Sequence, residues 1–219
     1  MIRKPEPVHE TGVTPVGAVS GVPHPITLAR RVLEDGRHIL LVGDGAIAFA
    51  RERQVRLCAP EELVTERQRA RLAEHVARRK AVAAGGGTVG AVALDVRGRI
   101  AAGTSTGGAV GKRVGRVGDS ALIGSSTYAD NRLGGVSTTG DGKAFIRTVL
   151  AKTALEILHE LDDPDIAVQV AMDVLREDGR GRGGLILMDW RGRLAFAHST
   201  RFMPVGWYLP TVSDAVLPF

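Results

Sequence analysis

The chain has 219 residues, 44% of them hydrophobic and 24% charged, enough for one large domain with a core of its own. A net charge of +5 comes with only 4% aromatic residues, and none lies between Val55 and Gly87. The arginine-rich stretches 51–80 and 176–193 therefore read as solvated basic surface and argue against a protein that stacks nucleic-acid bases. The single cysteine, Cys58, permits no intrachain disulfide and reads as a semi-buried structural thiol. No leader-like apolar run follows Met1, and no stretch approaches the ~18 apolar residues of a membrane span, so a cytoplasmic setting without membrane partners is expected.

In chain order, residues 1–13 are rich in proline and charge and predict an irregular arm. Val16 to Val19 predicts a short strand. Pro25 opens a helix bearing Ile26, Ala29, Val32 and Leu33, and Gly36 ends it. His38 to Val42 predicts a buried strand, after which Gly43 and Gly45 lead into a helix through Ala50. The Gly43-Asp44-Gly45 turn imitates a dinucleotide fingerprint, but Glu61 and Glu62, about twenty positions on, sit at a helix start and not at a second strand's end. An ordinary strand-to-helix turn is the better reading. Pro60 starts a helix that runs through Leu63, Leu72 and Val76 and dissolves into a mobile linker at Ala81 to Gly87.

Beyond Thr88 the pattern changes. Val89 to Asp95 and Arg99 to Ala102 predict strands around a turn at Arg97-Gly98, and residues 103–142 read as turns and short extended pieces. Ala144 to Leu161 predicts one long amphipathic helix with Phe145, Val149, Ala154 and Leu158 on its apolar side, and Ile166 to Leu175 predicts another. Leu185 to Met188 and Leu194 to Ala197 predict a second hairpin. The two hairpins echo each other: Asp95-Val96-Arg97-Gly98-Arg99 beside Asp189-Trp190-Arg191-Gly192-Arg193. Strands, then helices, then strands suggest sheets covered by helices and not a strictly alternating chain.

The chemistry concentrates between Gly85 and Gly142. Gly85-Gly86-Gly87-Thr88 leads into an apolar strand, followed by Gly103-Thr104-Ser105-Thr106-Gly107-Gly108, Gly115-Arg116-Val117-Gly118-Asp119-Ser120 and Ser137-Thr138-Thr139-Gly140-Asp141-Gly142. Hydroxyls, one cation, one carboxylate and several glycines recur in tight turns. These are the materials of acyl transfer: a hydroxyl nucleophile, donors for an oxyanion, and two charges to hold a zwitterion. Taken alone, Thr88 is a β-branched residue starting a strand, the commonest use of threonine there.

The whole run from Gly87 to Gly142 resembles the plant-type asparaginase / isoaspartyl peptidase family of N-terminal nucleophile hydrolases. The likeness extends back over Val16 to Glu52 and forward through Phe145-Ile146-Arg147 and Gly183-Gly184-Leu185-Ile186 to about Met203. It implies an α+β fold, the four-layer αββα sandwich. It implies self-cleavage at the Gly87–Thr88 bond, dividing the one domain into a region 1–87 and a region 88–219. Thr88 would then be the nucleophile and Thr106 its supporting hydroxyl. Arg116 and Asp119 would bind the substrate's α-carboxylate and α-ammonium, Thr139 and Gly140 the oxyanion, and Gly142 would line the same pocket. The expected substrates are asparagine and β-aspartyl dipeptides, and the expected assembly is a homodimer of cleaved two-piece units. Roughly the first sixty residues of family members, with a strand, two helices and a sodium-binding loop, find no match, so the fold is expected to be truncated, with apolar surface uncovered. Neither a sodium site nor another cofactor is expected in this chain. Two other readings stay open: a catalytically silent homologue acting as an interaction module, and a glycosylasparaginase-type amidase.

Overall fold

A computed structural model describes residues 14–77 and 87–209. The expected arm at 1–13, and the expected linker apart from Gly87, lie outside the described residues.

The first part of the chain builds a small helical unit. Strand β1 (Val16–Gly17) pairs in parallel with β2 (Leu41–Val42). Helix α1 (Pro25–Asp35) starts on a proline, whose fixed φ suits a first turn, and ends at Gly36, which takes φ 70°. It packs with α2 (Gly43–Glu52) around Leu28, Val32, Ala46 and Phe49. The buried strand expected at His38 to Val42 is corrected: only two residues pair, and Ile39, Leu40 and Val42 are exposed. An apolar run is buried only if a neighbour covers it, and β1 is too short to do so. The helix expected from Pro60 is also corrected. Pro60–Leu63 is a single 3₁₀ turn, and Thr65, whose hydroxyl accepts from the Gln68 amide at 3.3 Å, starts a separate α3 (Glu66–Ala77) with no buried residue.

Strands β3 (Thr88–Leu94) and β4 (Ile100–Thr106) form a hairpin whose pairing runs from Leu94 opposite Ile100 to Thr88 opposite Thr106. Its turn is closed by Asp95, whose carboxylate accepts from the Arg97 and Arg99 amides, each at 2.8 Å, and from Arg99 Nε at 2.6 Å. The repeat of this motif is physical. In the second hairpin, β7 (Gly183–Asp189) and β8 (Leu194–His198), Asp189 accepts from the Arg191 and Arg193 amides at 2.9 and 2.7 Å and from Arg193 Nε at 2.7 Å. Arg191 also reaches Asp162 at 2.6 Å, and its guanidinium holds that carboxyl below the ordinary carboxylate range.

Residues 103–142 are more ordered than turns. β5 (Thr127–Asp130) and β6 (Gly134–Gly140) join β7 and β8 in an antiparallel sheet of order β5-β6-β7-β8. β6 is glycine- and hydroxyl-rich, a weak strand former by itself, and is made a strand by partners on both sides. The expected long helix is two: α4 (Gly142–Thr148) and α5 (Leu150–Leu161). Val149 between them takes φ 47° and is exposed, not on the apolar side. The break lets the first turn of α5 donate to the loop before β5, Ala151 N to Ser125 O at 3.2 Å and Lys152 N to Gly124 O at 3.0 Å. α6 (Pro164–Glu177) is capped by Asp163, which accepts from the Asp165 and Ile166 amides.

α4, α5 and α6 cover one face of the four-stranded sheet around Val136, Phe145, Leu150, Leu155, Leu175 and Leu185. The β3–β4 hairpin lies across the other face, β3 over β6 and β7, β4 over β5 and β6. On the hairpin's far side α1 makes a local contact, Ile26 reaching Gly103. Helix, hairpin, sheet and helix thus stack as an α+β, αββα arrangement.

The two β layers meet on glycines. A Cβ at Gly135 would stand 2.6 Å from Val92 Cγ1 and 2.9 Å from Ile100 Cγ2, and one at Gly90 would stand 2.9 Å from Ser137 Cβ. Gly135→Val should therefore force the layers apart, costing roughly 1–3 kcal/mol as an overpacked core does. A urea denaturation midpoint that falls for Gly135→Val but hardly moves for Gly103→Ala, where a Cβ meets only Ile26 at 3.7 Å, is the expected outcome.

Candidate active site

Strand alternation decides which hydroxyls meet. On β3, Thr88, Gly90 and Val92 share the face turned to the four-stranded sheet, while Val89, Ala91 and Ala93 are exposed on the other. On β4 the inward set is Ile100, Ala102, Thr104 and Thr106. The inner face of the hairpin therefore grades from apolar at its turn to small and hydroxyl-bearing at its open end. On β6, Gly135, Ser137 and Thr139 share one face. Gly135 meets Val92, and Gly90 meets Ser137. One more step of two residues along each strand carries Thr88 toward Thr139.

Thr88 is half-buried, and its hydroxyl makes no hydrogen bond among the described residues. Gly87 before it takes φ 113°, a conformation that favours glycine over residues with side chains. Opposite Thr88, the Thr106 hydroxyl accepts from the Gly108 amide at 3.0 Å. Lys112 Nζ ties the same loop down by donating to the Gly107 carbonyl at 2.9 Å. The Arg116 guanidinium folds back over this loop. A Cβ at Gly118 would stand 2.8 Å from its Nη1, and one at Gly108 3.3 Å from it.

Asp119 follows in a 3₁₀ turn, Asp119–Ala121. The first strand supports that turn from behind, since a Cβ at Gly17 would lie 3.2 Å from both Val117 and Ala121 side chains. One Asp119 oxygen, Oδ2, accepts from the Ser126 hydroxyl, and Oδ1 sits against Gly142, filling the space a side chain there would need. Gly140 ends β6 at φ 141°, opposite Gly183, with no room for a side chain on either glycine. Asp141 then caps α4 by accepting from Lys143 N. Among the described residues, Arg116 and Asp119 form no ion pair with each other or with any other group. The two opposite charges stand three residues apart, Arg116 beside Gly108 and Asp119 beside Gly142, and neither is used in an ion pair among the described residues.

Of the residues singled out in the sequence, Thr88 follows Gly87 and pairs with Thr106, Arg116 lies against Gly108, Asp119 against Gly142, and Thr139 and Gly140 end β6 just before Gly142. Sequence reasoning missed the polar layer beneath them. Thr104, Ser126, Ser137 and Thr138 are buried and share their protons: Thr104 with Ser137 at 2.6 Å, Thr138 with Ser126 at 3.0 Å, and Thr127 with Thr104. No buried side-chain polar atom among the described residues lacks a partner. The signal for this layer was the run of consecutive hydroxyls Ser137-Thr138-Thr139, which reads as a turn in the sequence. Cys58, as expected, is half-buried, and its amide donates to Gly21 O at 2.9 Å.

Comparison with known proteins adds an independent line. The chain is 42% identical over 193 residues to an isoaspartyl peptidase/L-asparaginase of Mus musculus, a match spanning 86% of this chain and 59% of that protein. It is 40% identical over 191 residues to the protein of the same name from Xenopus laevis, spanning 86% and 62%. It is 41% identical over 204 residues to a plant-type L-asparaginase of Pyrobaculum calidifontis, spanning 89% and 68%. The chain thus spans about three fifths of the length of the vertebrate relatives it matches. The sequence model of the asparaginase family matches residues 9–215, nearly end to end, and the chain belongs to that family.

Proposed function

We propose that this chain hydrolyses the β-amide of L-asparagine, or the isopeptide bond of β-aspartyl dipeptides, by an N-terminal threonine released through self-cleavage. The observation that carries this is that Arg116 and Asp119, near the hydroxyl-bearing open end of the hairpin, form no ion pair among the described residues. A free α-amino acid end offers both complementary charges, and the side-chain carbonyl two bonds away then points toward Thr88. Guanidinium can take the α-carboxylate in two parallel bonds, and Asp119 Oδ1 can accept from the ammonium. The matched relatives carry names for both activities.

In the precursor Thr88 has no free amine. Its hydroxyl attacks the Gly87 carbonyl carbon, the C–N bond breaks, and the acyl group moves from nitrogen to oxygen. Water then hydrolyses the ester, leaving a carboxylate on Gly87 and a free amine on Thr88, so that regions 1–87 and 88–219 separate covalently but stay one domain. That amine has a reference pKa of about 7.7–8.0 and can take the hydroxyl proton near neutral pH. The Thr88 oxygen attacks the substrate carbonyl. The Thr139 hydroxyl and the Gly140 amide donate to the oxyanion. Ammonia, or the amino acid of a dipeptide, leaves with the proton, and water clears the aspartyl ester. Acyl transfer from an amide to a hydroxyl and then to water calls for no redox or organic cofactor. The assembly we assign is a homodimer of cleaved units in the cytoplasm. No helix among the described residues is long and apolar enough to cross a membrane.

The exposure of β3 favours a second reading, the silent interaction module: Val89 is 72% exposed, and among the described residues β3 pairs only with β4. The same experiments separate the two.

Intact mass of the purified chain at neutral pH should resolve into two fragments divided between Gly87 and Thr88, and Thr88→Ala should stay at full mass and release no ammonia from asparagine. Thr88→Ser should cleave and hydrolyse more slowly, because the lost methyl frees χ1 to populate unproductive rotamers. An alanine variant that hydrolysed asparagine at the parent rate would remove Thr88 as nucleophile. Arg116→Ala should lower kcat/KM for asparagine by a factor corresponding to roughly 2–4 kcal/mol while cleaving itself at close to the parent rate, since the cleavage step contains no α-carboxylate. Equal loss of both would make Arg116 a structural residue.

A further inference from the structure

Asp119 is gripped by one neighbour, and that neighbour is itself immobilised. Ser126 is fully buried, at 0% exposure. Its hydroxyl accepts from Thr138 Oγ1 at 3.0 Å, which leaves its one proton for Asp119 Oδ2. Its carbonyl accepts from the Thr138 amide at 2.8 Å and from Thr104 Oγ1 at 3.3 Å. The two residues before it receive the first amides of α5. Sheet, helix and hairpin therefore all fix the direction in which the Ser126 hydroxyl points. A hydroxyl bonded to a carboxylate is charge-assisted and strongly directional. With Oδ2 taken and Oδ1 resting on Gly142, the Asp119 carboxylate has one orientation.

Resting on the function proposed above, we propose that Ser126 is a positioning residue for ammonium recognition: it holds Asp119 so that Oδ1 receives the substrate's α-ammonium. The alternative that it prevents is close at hand. Arg116 stands three residues back with no ion pair of its own among the described residues. An unpinned carboxylate can swing toward that guanidinium, and a closed Arg116–Asp119 pair would neutralise both charges that a zwitterion needs apart. Ser126 thereby makes the pocket choose an amino acid over a plain dicarboxylate of the same length. It touches no reacting atom and acts only through Asp119.

The experiment compares L-aspartate, the product, with succinate, which has the same two carboxylates and no ammonium. Isothermal titration calorimetry on the whole chain gives both dissociation constants. Ser126→Ala should weaken aspartate, which loses its ammonium acceptor as well as part of its carboxylate receptor, on the order of tenfold, and weaken succinate, which can lose only the Arg116 contact, by clearly less. Ser126→Cys, close in volume and a weaker donor, should fall between parent and alanine, again with the larger loss for aspartate, and it carries the same comparison if the alanine variant does not fold. Equal weakening of both ligands, or no weakening of aspartate, overturns the positioning role and leaves the proposed function intact. A parent chain that binds neither aspartate nor asparagine overturns the proposed function, and the role of Ser126 falls with it.

Discussion

Everything in this molecule depends on how closely two β layers approach each other. At Gly90 and Gly135 there is no room for a Cβ, and the strands come together until backbone lies against side chain. That proximity is what lets residues of β4, β5 and β6 share one polar seam. A wider gap would need large apolar residues to fill it, and Thr88, Thr106 and Thr139 would then face a hydrophobic slab. The helices on the far side of the sheet supply the bulk of the burial, around Phe145, Leu150 and Leu155, and so permit a layer interface made of small and hydroxyl-bearing residues.

The seam of Thr104, Ser126, Ser137 and Thr138 carries a cost that it must offset. A buried hydroxyl without a partner is destabilising by about 1–3 kcal/mol, and here each one finds a partner. Satisfied networks are stiff, because any rotation leaves at least one proton unpaired. Stiffness is transmitted to Asp119 through Ser126 and to the strand before Thr139 and Gly140 through Thr138. The site therefore rests on a polar foundation and not on an oily one, and its glycines, at 108, 118, 140 and 142, let charged groups and backbone come close.

Much of this was legible in the sequence, and the exceptions have physical causes. The strand after Thr88, the turn at Arg97-Gly98 and the helix ended by Gly36 were readable because periodicity and turn chemistry agree there. A dense run of motifs singled out the candidate site residues. β6 was not, because Gly134-Gly135 and Ser137-Thr138-Thr139-Gly140 have the composition of a loop and become a strand only between β5 and β7. The break at Val149 was invisible because no glycine or proline marks it; contacts from the loop at Gly124 and Ser125 decide it. Ile39 and Leu40 failed in the opposite sense, apolar by sequence yet exposed, since burial is a property of neighbours. Ser126 escaped notice because its partner, Asp119, is seven residues away across a turn that sequence alone does not fold.

The twin turns at Asp95 and Asp189 have a bearing on the accuracy of folding. Each closes within a span of five residues, by a carboxylate that gathers two amides and a guanidinium. Contacts that local can form before distant segments have met. They fix which residue of one strand faces which residue of the other while the rest of the chain is still searching. In a strand pair a slip of one position turns every side chain to the opposite face. In the first hairpin such a slip would send the Thr88 hydroxyl outward to solvent and bring Val89 in against β6. The facing of Thr88 is thus set at the other end of its strand, by an aspartate that never approaches it.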